Sequence, residues 1–439
     1  MAKVVKFGGS SLADANQFKK AAEIIRADKD RRYVIPSAPG KRFGEDEKVT
    51  DMLYKCYEDI TAGKNPNVAF LPIEERFDGI ISDLELDLSL QNEYEQIIEG
   101  FENKLGMDYA ASRGEYLNGI ILAAFLDFQF VDAAEAVKFK SDGSFDAKLT
   151  DELLWWVLSG YKQAVIPGFY GSMPDGAIKT FSRGGSDITG SIVSKAVKAS
   201  LYENWTDVSG FLVADPRIVD NPEVISTITY RELRELSYMG ATVLHEDAVF
   251  PVREAGIPIN IKNTNNPADF GTMIVPEADS TERTITGIAG KKNFSVIHIE
   301  KDRMNNEIGF LRRILALFET LKINFEHIPT GIDTLSLVLD SKVFEEHPDI
   351  IERLRKVAEI EKPNIIEPFH NLALIAVVGR GMKEQRGIAT RIFAALSHAK
   401  INIRTIDQGS SELNIIIGIN EDDFEQAVRA IYNVCILAE

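Results

Sequence analysis

Residues 3–27 have the sequence KVVKFGGSSLADANQFKKAAEIIRA, and this stretch decides the fold class of the protein. Its apolar start at 3–7 predicts a buried strand, and the two glycines and two serines that follow predict a turn. In residues 17–27 the apolar side chains recur at helical spacing, which predicts an amphipathic helix. A strand, a glycine-rich loop and a helix in this order are typical of an α/β sandwich with mostly parallel strands.

The alternation of strands and helices continues beyond this stretch. Short apolar runs predict further strands at 33–35 and 163–167. Helical spacing predicts helices at 51–61, 93–104, 114–128 and 150–161. The polar sequence PEADSTER at 276–283 is typical of a linker, so we expect residues 1–283 to form one α/β domain.

The C-terminal part of the chain contains a repeated pattern of strand, helix, strand, strand and helix. The first copy is predicted at 296–299, 309–321, 323–328, 335–339 and 344–357. The second copy is predicted at 372–378, 387–399, 401–406, 413–419 and 423–434. Two ferredoxin-like βαββαβ domains are therefore expected, at 284–368 and 369–439. Because the second copy lacks a strand, we expect 284–289 to complete its sheet, so that the first copy is inserted into the second.

The composition is that of a folded, acidic protein. With 439 residues, 45% hydrophobic and 26% charged, the chain is long enough for several buried cores. Its formal charge of -18 opposes binding to nucleic acid or to an anionic membrane, so neither partner is expected. Cys56 and Cys435 have no spacing for a zinc site or a disulfide framework, and the N-terminus has no signal segment, so we expect a cytoplasmic protein.

Two glycine-rich motifs are candidates for binding anions, and each has an ordinary structural alternative. The motif KFGGSS at 6–11 allows backbone N–H groups to approach phosphate oxygens, but it is not a P-loop and is more often a plain turn. The motif RGGSD at 183–187 offers helix N-terminal amides and an arginine, or else a turn capped by Ser186. Thr50 or Asp51 could be only a helix cap and Glu115 only a first-turn acid, which are the commoner roles of such residues, so no single motif is diagnostic.

The combination of motifs is specific, because their order resembles that of aspartate kinases in the amino-acid kinase superfamily. The motifs of the N-terminal part are KFGGSS (6–11), SAPGK (37–41), KVTDML (48–53), SRGE (112–115), RGGSD (183–187), TDVSGFLVADPR (206–217) and IKNT (261–264). The C-terminal repeats resemble the paired ACT domains of the same family through GFLRRI (309–314), GRGM (379–382) and INIRTIDQGSSELNI (401–415). The resemblance implies a three-layer αβα sandwich followed by two ACT domains.

The resemblance also implies an activity, namely ATP-dependent phosphorylation of the side-chain carboxylate of L-aspartate to 4-phospho-L-aspartate. This reaction is the first step of aspartate-family amino-acid biosynthesis. Lys6 would be the catalytic cation, expected at an exposed strand end, and Asp187 would orient it. The positions that match the aspartate site are Ser37, Thr50, Glu115 and Arg183. The positions that match the ATP site are Gly8, Gly9, Ser10, Gly184, Gly185, Ser186, Thr206, Asp207, Asp215, Arg217 and Lys262.

The chemistry of the implied reaction needs no general base. The aspartate side chain is already ionised at neutral pH, its reference pKa being about 3.9, so catalysis should depend on positioning and on neutralising phosphate charge. We expect Mg²⁺ to arrive with ATP and assign no metal ligands to the protein. The sequence departs from the family at Leu212, where many relatives have tyrosine, and at 245–247, where a proline usually follows the histidine.

The ACT resemblance implies regulation by an amino acid made from the product, and we expect lysine, with threonine as the second choice. A helix beginning at Gly309 would offer N–H groups to the effector's carboxylate, and side chains on the next strand would meet its ammonium. The residues assigned to this regulatory site are Met304, Gly309, Phe310, Leu311, Ser336 and Asp340. A homodimer or homotetramer assembled through the ACT domains is expected.

Three rival interpretations are weaker. Glutamate 5-kinase and N-acetylglutamate kinase share the sandwich, but the paired C-terminal units count against both. A bifunctional enzyme with homoserine dehydrogenase would need more chain, and the segment at 379–384 lacks the third glycine of a dinucleotide-binding motif. A catalytically inactive sensor is disfavoured because Lys6, Glu115, Arg183 and Asp187 are all retained.

Overall fold

The computed structural model describes residues 2–182, 184–241, 244, 246–279, 283–357, 365–383 and 385–437. These residues form two compact units. The first unit consists of Met1–Phe211, Val224–Leu233 and Thr242–Ala278. The second consists of Leu212–Glu223, Arg234–Ala241 and Asp279–Glu439. The domain boundaries at 283/284 and 368/369 stay predictions.

Strands and helices alternate along the chain up to residue 278, as the sequence predicts. The strands are β1 Lys3–Phe7, β2 Arg31–Pro36, β3 Gln129–Phe130, β4 Ala164–Val165, β5 Tyr170–Ser172, β6 Ile178–Thr180, β7 Leu201–Thr206, β8 Thr227–Thr229, β9 Ile259–Asn263 and β10 Thr272–Val275. The helices are α1 Ala15–Arg26, α2 Val49–Thr61, α3 Pro66–Asp83, α4 Gln91–Glu102, α5 Met107–Leu126, α6 Ala133–Ala136, α7 Ala147–Ser159, α8 Gly185–Ala196, α9 Tyr230–Tyr238 and α10 Glu246–Glu254. None of the described helices is long and apolar enough to cross a membrane.

A mainly parallel sheet organises the first unit, with strand order β3-β4-β2-β1-β7-β9-β10-β8. Strand β1 lies between β2 and β7, and only β9 and β10 pair in antiparallel fashion. The apolar residues of β1 are buried on both faces of the sheet, which is typical of a central parallel strand. The carboxyl ends of β1, β2 and β7 therefore meet at one edge, where ligands of open α/β sheets bind.

The two faces of β1 have different neighbours. Val5 and Phe7 contact the core built with α1 to α5, and the ring of Phe7 stacks on Trp205 of β7. On the other face, Tyr202 of β7 packs against Gly190 of α8. Helices on both faces of the sheet make the predicted three-layer sandwich, and that prediction of fold class is confirmed.

Several helices of the first unit, α3, α6, α9 and α10, are missing from the sequence-based prediction, and α3 is the longest of them. Helix α3 contains Pro72 in its interior and begins with Pro66, and an interior proline normally ends a helical segment. The helix persists because Phe70, Ile73 and Phe77 are buried in the core. Tertiary packing therefore outweighs the local signal.

The second unit contains one antiparallel sheet with helices on it. Its strands are β11 Gly287–Glu300, β12 Thr334–Asp340, β13 Ile365–Val378, β14 Ile403–Asp407 and β15 Asn414–Asn420, in the order β12-β11-β13-β15-β14. Its helices are α11 Phe310–Leu321, α12 Lys342–Glu346, α13 Ile350–Val357, α14 Ile388–His398 and α15 Phe424–Cys435. The strand predicted at 323–328 is reduced to an isolated bridge between His327 and Val338. The helix predicted at 344–357 is interrupted at His347 and Pro348.

Strands β11 and β13 are long and belong to both halves of this sheet. Residues 287–291 of β11 lie opposite 374–378 of β13, on the side of β15, whereas residues 294–300 lie between β12 and 365–372. The register between the two strands shifts on either side of Phe294. Asn293 and Asn371 have left-handed backbones near this point, with φ of 70° and 61°. We call this junction of the two halves the crease.

We expect the loop before β10 to be a sensitive point of the first unit. Gly271 has a φ of 76°, and a Cβ there would overlap the carbonyl oxygen of Ile261 in β9. Gly271→Ala should therefore lower the free energy of unfolding by more than about 2 kcal/mol, because the strain of a left-handed alanine is added to a backbone clash. Gly256→Ala is a matched control, since its φ is 67° and the space around it is open. Equal losses in thermal unfolding of the two variants would contradict this account.

Candidate active site

Lys6 lies within β1 and is buried, with 8% of its surface exposed. Its Nζ atom is 2.6 Å from Asp187 Oδ1 and 3.4 Å from Asn204 Oδ1. The expectation of an exposed lysine at a strand end is therefore wrong, because the side chain turns along the sheet towards the first turn of α8 and is covered there. The pairing with Asp187 agrees with the role assigned to that residue.

Asn204 of β7 completes this ion pair and was not found from the sequence. Its Cα lies opposite that of Lys6, and its Nδ2 donates to Asp187 Oδ1 at 2.9 Å. The Tyr202 hydroxyl donates to the backbone oxygen of Asp187 at 3.2 Å. Burial raises the pKa of Tyr202 well above its ordinary value, so the hydroxyl keeps its proton. Two neighbouring strands thus fix the position of one carboxylate.

Glu115 of α5 is buried and has a free acceptor. The N–H of Ala38 donates to its carboxylate, but Oε2 has no hydrogen-bond partner among the described residues. Burial raises the pKa of Glu115 to about 8, and the charge of Lys6 acts weakly in the opposite direction. A buried, unsatisfied carboxylate within electrostatic range of the lysine is suited to receiving a positively charged group of a ligand.

Comparison with known proteins agrees with this geometry. The model of the Amino acid kinase family matches residues 1–263, and an ACT domain model matches residues 375–434. Over 447 residues the chain is 39% identical to Aspartokinase 3 of Bacillus subtilis, covering 98% of each protein. The chain belongs to the aspartokinases of the amino acid kinase family.

Solved aspartokinases have the same fold. The crystal structure of Clostridium acetobutylicum aspartate kinase is 54% identical, with a TM-score of 0.92 over 99% of this chain and 100% of that one. Aspartokinase III of E. coli in complex with aspartate and ADP is 24% identical, with a TM-score of 0.75 over 99% of each chain. The family resemblance drawn from the motifs is thereby confirmed.

The two glycine loops of this aspartokinase hold their amides in different local structures. In the first loop, Gly8 donates its N–H to the oxygen of Trp205 at 2.9 Å. The amides of Gly9 and Ser10 follow it, at the start of the turn Gly9–Leu12. Gly184 precedes α8 with a φ of 59°, and Gly185 and Ser186 form the first turn of that helix together with Asp187. Arg183 lies outside the described residues, and its assignment stays a prediction.

The loop that follows β2 is held by a buried arginine that sequence analysis missed. Arg76 of α3 donates to Asp46 Oδ2 at 2.8 Å, to the oxygen of Gly40 at 2.7 Å and to that of Ala13 at 3.0 Å. Hydrogen bonds from Arg42 and Arg76 hold the pKa of Asp46 far below its ordinary value. Because α3 itself was not predicted, no signal pointed to this residue.

Ser37 and Thr50 lie at the two ends of this loop. Ser37 follows β2, donates its N–H to the oxygen of Phe7 at 3.1 Å and accepts from Asn118 Nδ2 at 2.7 Å. Thr50 lies in the first turn of α2, which packs on α5, the helix of Glu115. Ser37 and Thr50 therefore belong to the same compact unit as Lys6 and Glu115.

The residues assigned to the nucleotide side are divided between the two units. Thr206 ends β7 and its hydroxyl donates to Asp207 Oδ1 at 3.2 Å. Lys262 of β9 lies 5.3 Å above the ring of Trp205, and burial lowers the pKa of this lysine. Asp215 and Arg217 belong to the second unit, where they pair with each other at 2.6 Å.

The two departures from the family motifs fall in different places. Leu212 is half-buried in the second unit. His245 lies outside the described residues, and the backbone of residues 246 and 247 begins α10. Their effect on the site stays a prediction.

The residues assigned to regulation do not share one face of the second unit. Met304 and Phe310 are buried in the same core as Leu335 and Leu337. Ser336 points to the opposite face of the sheet, because successive side chains of a strand alternate. Gly309 precedes α11 and Leu311 is partly exposed in its first turn. Asp340 ends β12, where its side chain accepts from the N–H of Lys342 at 2.9 Å.

Phe169 is a further residue that sequence analysis missed, and its backbone is strained. Its φ is 81°, a conformation that costs a bulky residue about 1–3 kcal/mol and persists only where the surroundings fix it. Its N–H donates to Thr189 Oγ1 at 3.0 Å, and its oxygen accepts from the N–H of Phe181 at 2.9 Å. Its ring occupies the space beside Gly185 where a side chain would point. Phe169 therefore shapes the start of α8.

Thr189 connects this strained residue to α8, and we expect its hydroxyl to be needed. It accepts from Phe169 and donates to the oxygen of Gly185 at 3.0 Å. Thr189→Val should lower turnover at least tenfold while the protein stays folded, because the buried N–H of Phe169 loses its acceptor and the first turn of α8 shifts. Thr189→Ser keeps the hydroxyl and should restore turnover. Steady-state kinetics that show the same activity for Val and Ser would remove this role.

Proposed function

We propose that this chain transfers the γ-phosphoryl group of ATP to the side-chain carboxylate of L-aspartate, giving 4-phospho-L-aspartate. The observation that carries the proposal is Glu115, a buried carboxylate with a free oxygen, next to the Lys6–Asp187 pair at the carboxyl edge of a parallel sheet. The names of similar proteins, aspartokinase and aspartate kinase, support the same substrate. This reaction would begin the synthesis of aspartate-family amino acids in the cytoplasm.

Aspartate is bound through its two oppositely charged ends. Glu115 receives the ammonium group, since its Oε2 is unsatisfied and faces no cation of the described protein at hydrogen-bond distance. Arg183 receives a carboxylate through its planar guanidinium. Ser37 and Thr50, at the ends of the loop that Arg76 holds, contribute hydroxyl groups.

ATP is bound by backbone amides, including those at the carboxyl edge of the parallel sheet, and by cations. The residues proposed to contact it are Gly8, Gly9, Ser10, Gly184, Gly185, Ser186, Thr206, Asp207, Asp215, Arg217 and Lys262. The N-terminus of α8 would direct its free amides and the positive end of the helix dipole at the phosphates. Lys6 neutralises charge on the transferred group, and Asp187 with Asn204 holds Lys6 Nζ in place.

The donor set fits a magnesium ion that is carried by ATP. Asp187 Oδ1 is already bound by Lys6 and Asn204, and the described residues contain no group of three or more metal-ligating side chains. Phosphate oxygens and water would therefore supply most of the ligands of Mg²⁺. When bound, the ion neutralises phosphate charge.

Regulation by an amino acid, lysine in the first place and threonine in the second, is part of the proposal. Support comes from the ACT domain match and from aspartokinase III of E. coli, which shares this fold and has been solved with lysine and aspartate in a T-state. We propose the start of α11, with Met304, Gly309, Phe310 and Leu311, as the lysine site. Ser336 and Asp340 were assigned to the same site from the sequence, but Ser336 points to the opposite face of the sheet from Phe310, and Asp340 is at the other end of β12 from Thr334, the residue that pairs with Glu300 before α11. Assembly into a homodimer or homotetramer through the ACT domains would bring such sites together.

The role of Lys6 can be separated from its contribution to stability. Lys6→Ala should reduce ATP turnover with aspartate at least about a hundredfold, because the transferred phosphoryl group loses its cation. It should also lower the free energy of unfolding by up to about 3 kcal/mol, because Asp187 remains largely buried without its partner. Adding Asp187→Asn should restore stability but not turnover.

A coupled assay of ATP consumption and a denaturant titration measure the two effects. Lys64→Ala is the control, because Lys64 pairs with Asp59 on the surface and 63% of its side chain is exposed. That variant should match the wild-type protein in both measurements. A Lys6→Ala protein with normal turnover would contradict the phosphate-side assignment.

The raised pKa of Glu115 predicts a pH dependence of aspartate binding. Below a pH of about 8 the free site holds a protonated Glu115, so binding the ammonium group requires loss of that proton. The KM for aspartate should therefore fall as the pH rises towards 8 and level off above it. Glu115→Gln should raise the KM for aspartate far more than that for ATP and abolish this pH dependence.

Stability should show the opposite trend. Between a pH of about 4.5 and about 8 the unfolded chain has released the proton that folded Glu115 still holds, so stability falls as the pH rises through this window. Glu115→Gln should remove that part of the loss. A wild-type KM for aspartate that does not change below pH 8 would contradict the role of Glu115.

A further inference from the structure

The side chain of Trp205 is fixed in the core of the first unit by three different contacts. It lies near the end of β7 and is only 1% exposed. The ring of Phe7 stacks on it, with the two centroids 6.0 Å apart. Its indole N–H donates to Glu203 Oε2 at 2.9 Å, and its backbone oxygen accepts from the N–H of Gly8 at the same distance. The indole is therefore held in one orientation.

Lys262 of β9 lies beside this indole. The two residues are neighbours in the parallel register of β7 and β9, so their side chains project from the same face of the sheet. Lys262 Nζ is 5.3 Å from the centroid of the ring, which is within the range of a cation–π contact. The lysine is half-buried, and no carboxylate in the described part of the chain forms an ion pair with it.

The contact differs in kind from the one that holds Lys6. Lys6 is paired with Asp187 at 2.6 Å, so its formal charge is already balanced. An aromatic face attracts an ammonium group without bringing a formal negative charge to it. Lys262 therefore keeps a full positive charge for a ligand, and no protein carboxylate has to be displaced when an anion binds.

Glu203 strengthens the aromatic face without pairing with Lys262. Its side chain is buried, and its charge is balanced by Arg31, whose Nε is 2.8 Å from Oε2. An anion that accepts the indole N–H polarises the ring and adds electron density to its face. The guanidinium of Arg31 also lies 5.3 Å from the ring, but its ion pair commits it to Glu203. Lys262 is therefore the cation at this ring that is left for a ligand.

We propose that Trp205 is a positioning residue for the nucleotide, and that its indole face holds the ammonium group of Lys262 ready for a phosphate of ATP. Lys262 would touch the phosphate, whereas Trp205 would act through Lys262. Because Trp205 also accepts the N–H of Gly8, it connects this lysine with the first glycine loop. The identity of the phosphate as that of ATP rests on the proposed function.

Stepwise fluorination of the indole tests this role, because fluorine withdraws electron density from the ring face and changes the size of the ring little. Mono-, di- and trifluorotryptophan are introduced at position 205 of a protein that carries Trp155→Phe and Trp156→Phe. These substitutions remove the other two tryptophans, which are 58% and 70% exposed on α7. Calorimetry with the β,γ-imido analogue of ATP and Mg²⁺ should show affinity falling with each fluorine, by about tenfold over the series. The KM for ATP should rise in parallel, and the KM for aspartate should not change.

Lys262→Met supplies the control for packing. It removes the cation and keeps an unbranched side chain, so the same fluorinated residues should then have no graded effect on nucleotide affinity. The same slope with and without the ammonium group would overturn the proposal, because the effect would then come from packing or from Arg31. A flat series in the protein that retains Lys262 would overturn it too.

Failure of this inference and failure of the proposed function give different results. Graded nucleotide binding that depends on Lys262, without phosphoryl transfer to aspartate, would support the role of Trp205 and overturn only the proposed function. A flat series in a protein that phosphorylates aspartate would overturn only the role of Trp205. Absence of nucleotide binding in the unfluorinated protein would overturn both.

Discussion

The ion pair between Lys6 and Asp187 is the contact on which the candidate active site depends. It joins the central strand β1 to the first turn of α8, and Asn204 of β7 binds the same carboxylate oxygen. A lysine in the middle of a sheet is costly to bury unless its charge is balanced, and here the balancing acid also fixes the direction of Nζ. Strand β1 and the first turn of α8 are therefore held together by one interaction.

Glu115 and Arg76 are two buried, charged residues of the first unit with different roles in the structure. Burial raises the pKa of Glu115 to about 8, because the ionised form of its carboxylate is unfavourable there. Arg76 donates through its two terminal nitrogens to Asp46 and to two backbone oxygens and so holds the loop, whereas its Nε has no hydrogen-bond partner among the described residues. The strained backbone of Phe169 is fixed by Thr189 and sits against the start of α8.

The order of motifs predicted the sandwich, the ACT region and the pairing of Lys6 with Asp187, because each follows from local signals or from family resemblance. The contacts of Asn204 and Tyr202 with Asp187 depend on the register between β1 and β7, which no local sequence pattern specifies. Arg76 was missed because Pro72 argued against the helix α3 that carries it. The left-handed backbone of Phe169 could not be predicted, because such backbones are normally occupied by glycine. The alternation of Leu335, Ser336 and Leu337 could have shown that Ser336 and Phe310 lie on opposite faces.

The two long strands of the second unit have a consequence for how such a protein can change over evolution. Because β11 and β13 each run through both halves of the sheet, a recombination point between the two repeats would cut through a shared strand. Either half transferred alone would expose unpaired backbone along a new edge, which favours aggregation. The repeats are therefore expected to be inherited as a pair, and exchange between genes should occur at the borders of the pair rather than within it.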